Sequence, residues 1–172
     1  MICLIVPPWL KNKRKNRISH GQWICFFEWL FCFRTKEDLV VEVNDTELKK
    51  VIGDFLDMGH VENIVAMFCR EPRYYAWTGE ILNDPRFQVR LGVSVLFEEL
   101  RAVDPDKIDL ATPSLLALLH SVPLQPSYVR GEAVSVLAII GSDTAMEGVR
   151  AMMSDADSQL VEVVRDILGE SV

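Results

Sequence analysis

The sequence predicts an all-α fold, a solenoid of about four helix pairs. Three observations predict it. One short phrase occurs three times: VRLGVSVLF at 89–97, VRGEAVSVL at 129–137 and LVEVVRDIL at 160–168. Breaks rich in Gly, Pro and Asp divide the chain beyond residue 44 into helix-length pieces. No segment shows sustained period-two alternation bounded by hairpin turns, so no strand is expected.

Aligned on their first residues, the phrases put Val89, Val129 and Leu160 together, then Val93, Ala133 and Val164. Val95/Leu96, Val136/Leu137 and Ile167/Leu168 follow. That is one apolar face at helical spacing, repeated. A helix with such a face cannot stand alone, and stacking neighbours bury it. The copies begin 40 and 31 residues apart (129 − 89 and 160 − 129). This fits helix pairs with one longer connection at 102–110.

The elements follow in order. Asn44 or Asp45 caps a first helix, with Leu48, Val51, Ile52, Phe55 and Leu56 at i, i+3, i+4, i+7 and i+8. Gly59 stops it. A second helix spans about His60–Arg70, carries Val61, Ile64, Val65 and Phe68 on one face, and breaks at Pro72. A third covers about Arg73–Leu82. A fourth has Pro85 in its first turn and runs to about Ala102. Residues 106–120 form the fifth, with Leu115, Leu116, Leu118 and Leu119 as its apolar surface. Helices at about 127–140, 143–153 and 158–169 finish the array. Asp143 and Asp157 are their expected caps, and Gly141 and Gly169 their stops.

The phrase around residue 129 resembles the HEAT repeat, in the short variety found in bilin-lyase-like proteins, whose pattern is roughly V-R-x-x-A-x-x-A-L-G. Val129, Arg130, Ala133, Val136 and Leu137 match it, with Ala138 where Gly is usual. Leu160, Val164, Ile167, Leu168 and Gly169 match at the last copy, where Val161 replaces the arginine. Val89, Arg90, Val93 and Leu96 match at the first. The resemblance implies a HEAT-like right-handed α-solenoid. It also implies that Arg90 and Arg130 bond to acids in neighbouring units and hold the stack; Asp84 and Glu132 are nearby acids. Proteins of this kind are mostly scaffolds and adaptors, and a few are lyases or glycosylases.

Charge divides the chain. Residues 1–35 hold six basic side chains and one acid, and residues 36–172 carry a net −12 of the formal −7 total. An acidic body disfavours phosphate-backbone contact, so no nucleic-acid partner is expected. The body is assigned to residues 39–172 as a helical repeat domain, and residues 1–38 are set apart from it. Three readings of that segment stand open. The run WICFFEWLFCF at 23–33 follows basic residues and could lie at a membrane surface. It is short for a span and carries Glu28. It could also be translated upstream sequence, with a start near Val40, Val41 or Val43, or a packed element. Membrane contact is expected only if residues 1–35 are real.

No site for chemistry is expected: no enzyme, no metal and no cofactor. His20, His60 and His120 are scattered, no CxxC pair occurs, and Ser94 and Ser135 lack a nucleophile elbow. The body's one cysteine, Cys69, reads as a small buried hydrophobe and fits a reducing, cytoplasmic setting. The candidate partner-binding residues are Arg73, Tyr74, Tyr75 and Trp77, types enriched at binding hot spots, with Glu80, Glu98 and Glu99 as an acidic rim. Adjacent helical positions point apart, so at least one of the three aromatics is expected to be exposed or between helices, and core packing of most of the cluster is the favoured reading beside the contact surface. The function expected is a protein-interaction scaffold or adaptor, and its acidic rim would attract a basic partner. The alternative is a bilin-lyase-like or chaperone subunit of an enzyme system.

Overall fold

Helix signals dominate residues 44–169, the residues that the computed structural model describes, and their regular structure is entirely helical. Eight α-helices run in order: α1 Asp45–Asp57, α2 Val61–Arg70, α3 Thr78–Leu82, α4 Phe87–Val103, α5 Thr112–Leu119, α6 Ser127–Ile140, α7 Asp143–Ala151 and α8 Ser158–Leu168. The division at residue 38, and every reading of residues 1–38, fall outside the described residues.

Local chemistry explains most boundaries. Asn44 caps α1 by accepting the Thr46 N–H at 3.1 Å. Asp157 caps α8, accepting from the amides of Gln159 at 3.0 Å and Leu160 at 3.4 Å. Ser142, not the expected Asp143, caps α7 by accepting the Ala145 N–H at 3.1 Å. Asp143 instead sits inside the first turn, where its charge favours the helix dipole. Gly141 ends α6 at φ +68°, a left-handed conformation that costs a side-chain-bearing residue strain.

Three expected helices are shorter than their patterns suggested. The third begins as a 3₁₀ helix, Pro72–Trp77, before five α-helical residues. The fifth begins as a 3₁₀ turn, Ile108–Ala111, and becomes α-helical only at Thr112, next to Pro113. Proline lacks an amide and so suits a first turn, where none is needed. Pro85 lies outside α4. Asp84 accepts the Arg86 backbone N–H at 2.9 Å, and this local turn delays the helix to Phe87.

The apolar faces meet as a core. Val89, Val129 and Leu160 are buried, as are Val93, Ala133 and Val164 and then Leu96, Val136 and Leu137, whereas Val95, expected on this face, is exposed and Ile167 and Leu168 are half-buried. The three helices of the repeated phrase pack in series, α4 on α6 and α6 on α8, with α1 on the free side of α4. α3 packs on α5, and α5 on α7. Cys69 is half-buried rather than fully so.

Candidate functional site

The aromatic cluster is built into the core. Relative exposure is 6% for Tyr74, 0% for Tyr75 and 9% for Trp77. The 3₁₀ geometry makes this possible. Side chains three apart eclipse one another, so Tyr74 and Trp77 share one side while Tyr75 turns inward. Tyr74 and Trp77 pack with ring centroids 5.0 Å apart. Tyr75 stands edge-on to Phe68 at 5.1 Å and to Phe97 at 6.4 Å. The cluster therefore joins α2, the 3₁₀ helix and α4. Burial removes its three rings as free anchors for a partner. Burial also pushes the Tyr75 phenol upward, with the Asp104 carboxylate adding to it.

Cations close the outer side of this cluster. The Arg73 guanidinium lies 5.3 Å from both the Tyr74 and Trp77 ring centroids and 3.4 Å from Asp45. Lys49 lies 5.2 Å from the Trp77 ring and 2.6 Å from Glu80. Arg73 and Glu80 are thus exposed but already partnered. Glu98 and Glu99 are exposed on α4, beside the buried Phe97.

The sites of the two repeat arginines are clear. Arg90 is 6% exposed, and its Nη1 donates to the carbonyls of Asp84 and Pro85, both at 3.0 Å. Its Nε lies 2.7 Å from Glu132 Oε2 on α6, an ion pair across copies. The Nε–H does not point along that line, so the contact is one of charge rather than an aligned hydrogen bond. Burial raises the Glu132 carboxyl above its ordinary range, with Arg90 opposing the shift. The Asp84 carboxylate serves Arg86 instead, at 2.8 and 3.0 Å, and is held below its usual range by that bond. Arg130, 3% exposed, pairs with both oxygens of Asp155, in the loop before α8. That acid was not among the expected ones.

A surface that the hot-spot reasoning missed lies on α4. Phe87, Leu91 and Val95 are 55%, 52% and 37% exposed. They stand at i, i+4 and i+8, a stripe about 12 Å long on one side of the helix. Tyr128, at the start of α6, is 56% exposed. The Arg90 guanidinium links the two helices here, 5.8 Å from the Phe87 ring and 4.7 Å from the Tyr128 ring. Beside Tyr128 runs an open groove of about 320 Å³ between α6 and α8, lined by Gly131, Glu132, Ser135, Gln159 and Val163. The four exposed apolar side chains offer roughly 350 Å² of surface, the size of a functional patch on a monomer. Continuing along the helix, Glu98 falls within about 20° of Phe87 and Glu99 about 40° beyond Val95. The stripe therefore runs into two carboxylates.

The repeat alignment carried the signal for this stripe. Phe87 aligns with Ser127 and Ser158, Leu91 with Gly131 and Glu162, and Val95 with Ser135 and Asp166. The first copy is apolar at three positions where the others are small or polar. Stacking does not require those side chains.

Among the described residues, no three His, Cys, Asp or Glu side chains are grouped to hold a metal ion. No described helix is long and apolar enough to cross a membrane. Comparison of the chain with family models, curated proteins and solved structures gives no match.

Proposed function

We propose that this chain is a non-catalytic protein-interaction module, a HEAT-like α-solenoid that docks a protein partner on the outer face of α4. The serial packing of α1, α4, α6 and α8 supports the solenoid reading. So do Arg90 and Arg130, each reaching an acid of the following copy. The observation that carries the binding role is the stripe of Phe87, Leu91 and Val95, exposed where the equivalent residues of the other copies are small or polar. A helix in a stack has no packing use for apolar side chains on its solvent side, whereas a partner does. The half-buried Cys69, the one cysteine among residues 44–169, fits a reducing cytoplasm.

The test is affinity purification of the full chain from its native host, as the wild type and as Leu91→Gln/Val95→Gln. Glutamine keeps helix propensity while removing apolar surface. The proposal expects a co-purifying protein that is lost with the double variant while the melting temperature holds. Equal recovery by both forms would count against it.

A further inference from the structure

From this docking reading, on which the inference rests, we infer the kind of partner: an amphipathic helix with a basic end. Its apolar stripe covers about two turns, and Lys or Arg in its next turn meets Glu98 and Glu99.

The shape of the face sets the first requirement. Phe87, Leu91 and Val95 form a narrow row about 12 Å long, flanked by Tyr128 on α6. A row of this width accepts one helix laid along it, with apolar side chains at i, i+3 or i+4 and i+7. The rings at its head are held in place. Arg90 is anchored by two carbonyls and Glu132, and its guanidinium lies against both Phe87 and Tyr128. Aromatic side chains so fixed lose little freedom when a partner covers them.

Charge sets the second requirement. The row ends in Glu98 and Glu99, both exposed, and no hydrogen bond or ion pair engages either carboxylate among the described residues. Residues 44–169 hold 11 Lys and Arg against 20 Asp and Glu, a net −9. A second copy of this chain would set two acidic bodies against each other, which disfavours self-docking. Anionic lipid would be repelled for the same reason. A basic helix satisfies the apolar row and the acidic end together.

The experiment uses the full chain with a benzophenone side chain at Gln88, on the edge of the row. The probes are three synthetic peptides of about 18 residues: a Leu/Lys amphipathic helix, its Leu/Glu counterpart, and a scrambled Leu/Lys sequence. Anisotropy gives the affinities, and crosslinking from Gln88 gives the place. The Leu/Lys helix is expected to bind at least about tenfold tighter than either control, with crosslinking at Gln88. Glu98→Gln/Glu99→Gln is expected to weaken it about fivefold at low salt, a difference that fades near 0.5 M salt. Equal binding of the Leu/Glu helix or of the scrambled sequence overturns the inference. So does an unchanged affinity of the Glu98→Gln/Glu99→Gln chain, or a Gln88 crosslink between two copies of the chain. The same Gln88 chain expressed in the native host separates the two levels. If the Leu/Lys helix fails but Gln88 captures a host protein, the partner class falls and the docking face stands. If both fail, both fall.

Discussion

Arg130→Ala should destabilise the fold by about 2–3 kcal/mol, and the structure shows where that figure comes from. The side chain is 4% exposed and its partner Asp155 18% exposed. Breaking a fully buried ion pair costs about 3–5 kcal/mol, and the water that reaches Asp155 lowers that to about 2 kcal/mol here. Losing the packed side-chain stem adds about 1–2 kcal/mol. Against this, the buried Arg130 Nε has no protein acceptor, and removing it recovers about 1 kcal/mol. The net should lower the melting temperature by about 5–10 °C. The assay is denaturant unfolding of the wild type, Arg130→Ala, Asp155→Ala and the double variant. The cycle should return a coupling of about 1–2 kcal/mol.

The pH dependence supplies a second readout of the same pair. The Arg130 bond, then the Asp157 amide, holds the Asp155 carboxyl below its usual range. Its folded-state value therefore lies beneath the unfolded value near 4, and the stabilisation is complete above that pH. It is lost as pH falls through the folded value. Between pH about 4 and 2 the wild type should lose stability more steeply than Arg130→Ala. A variant within about 0.5 kcal/mol of wild type, or a coupling near zero, would refute the view that the arginine clamps adjacent copies.

Three other substitutions probe the packing. A Cβ at Gly79 would press on the backbone carbonyl of Ser114, its carbon only 3.0 Å away, so Gly79→Ala should cost about 3 kcal/mol in thermal melting. At Gly148 the obstacle is the end of the flexible Leu116 side chain, and Gly148→Ala should cost less than about 1 kcal/mol. Tyr75→Phe removes a buried hydroxyl without a protein partner, so its denaturation midpoint should match or exceed that of the wild type. A large loss there would mean that the hydroxyl is satisfied.

What could be read from the sequence was what local chemistry decides. Asn44, Asp157, Gly141 and Gly169 mark helix ends through bonds made within a few residues. Most apolar positions of the repeated phrase are buried because helical spacing puts them on one face, but Val95 stands a position off that face and is exposed, and Ile167 and Leu168 are half-buried. Arg130 and Asp155 lie 25 residues apart and meet only because α6 packs beside the loop before α8. No local pattern encodes that meeting. The aromatic cluster packs in the core, the reading favoured from its sequence, and what the sequence did not show was the turn that puts it there. Its composition suits a hot spot, but the 3₁₀ turn from Pro72 folds all three rings inward. Glu98 and Glu99 are exposed on α4, at the Val95 end of the row of Phe87, Leu91 and Val95. Those three were visible in the alignment as apolar residues in polar columns.

The central claim is that the outer face of α4 receives a protein. Site-specific photocrosslinking in the native host tests it most directly, with the reactive group placed in turn at Gln88, Leu91 and Glu99 on α4 and at the exposed Glu62 and Glu147 on α2 and α7. The account predicts one shared adduct from the three α4 positions and none from the other two. Adducts at Glu62 or Glu147 with α4 silent would contradict it.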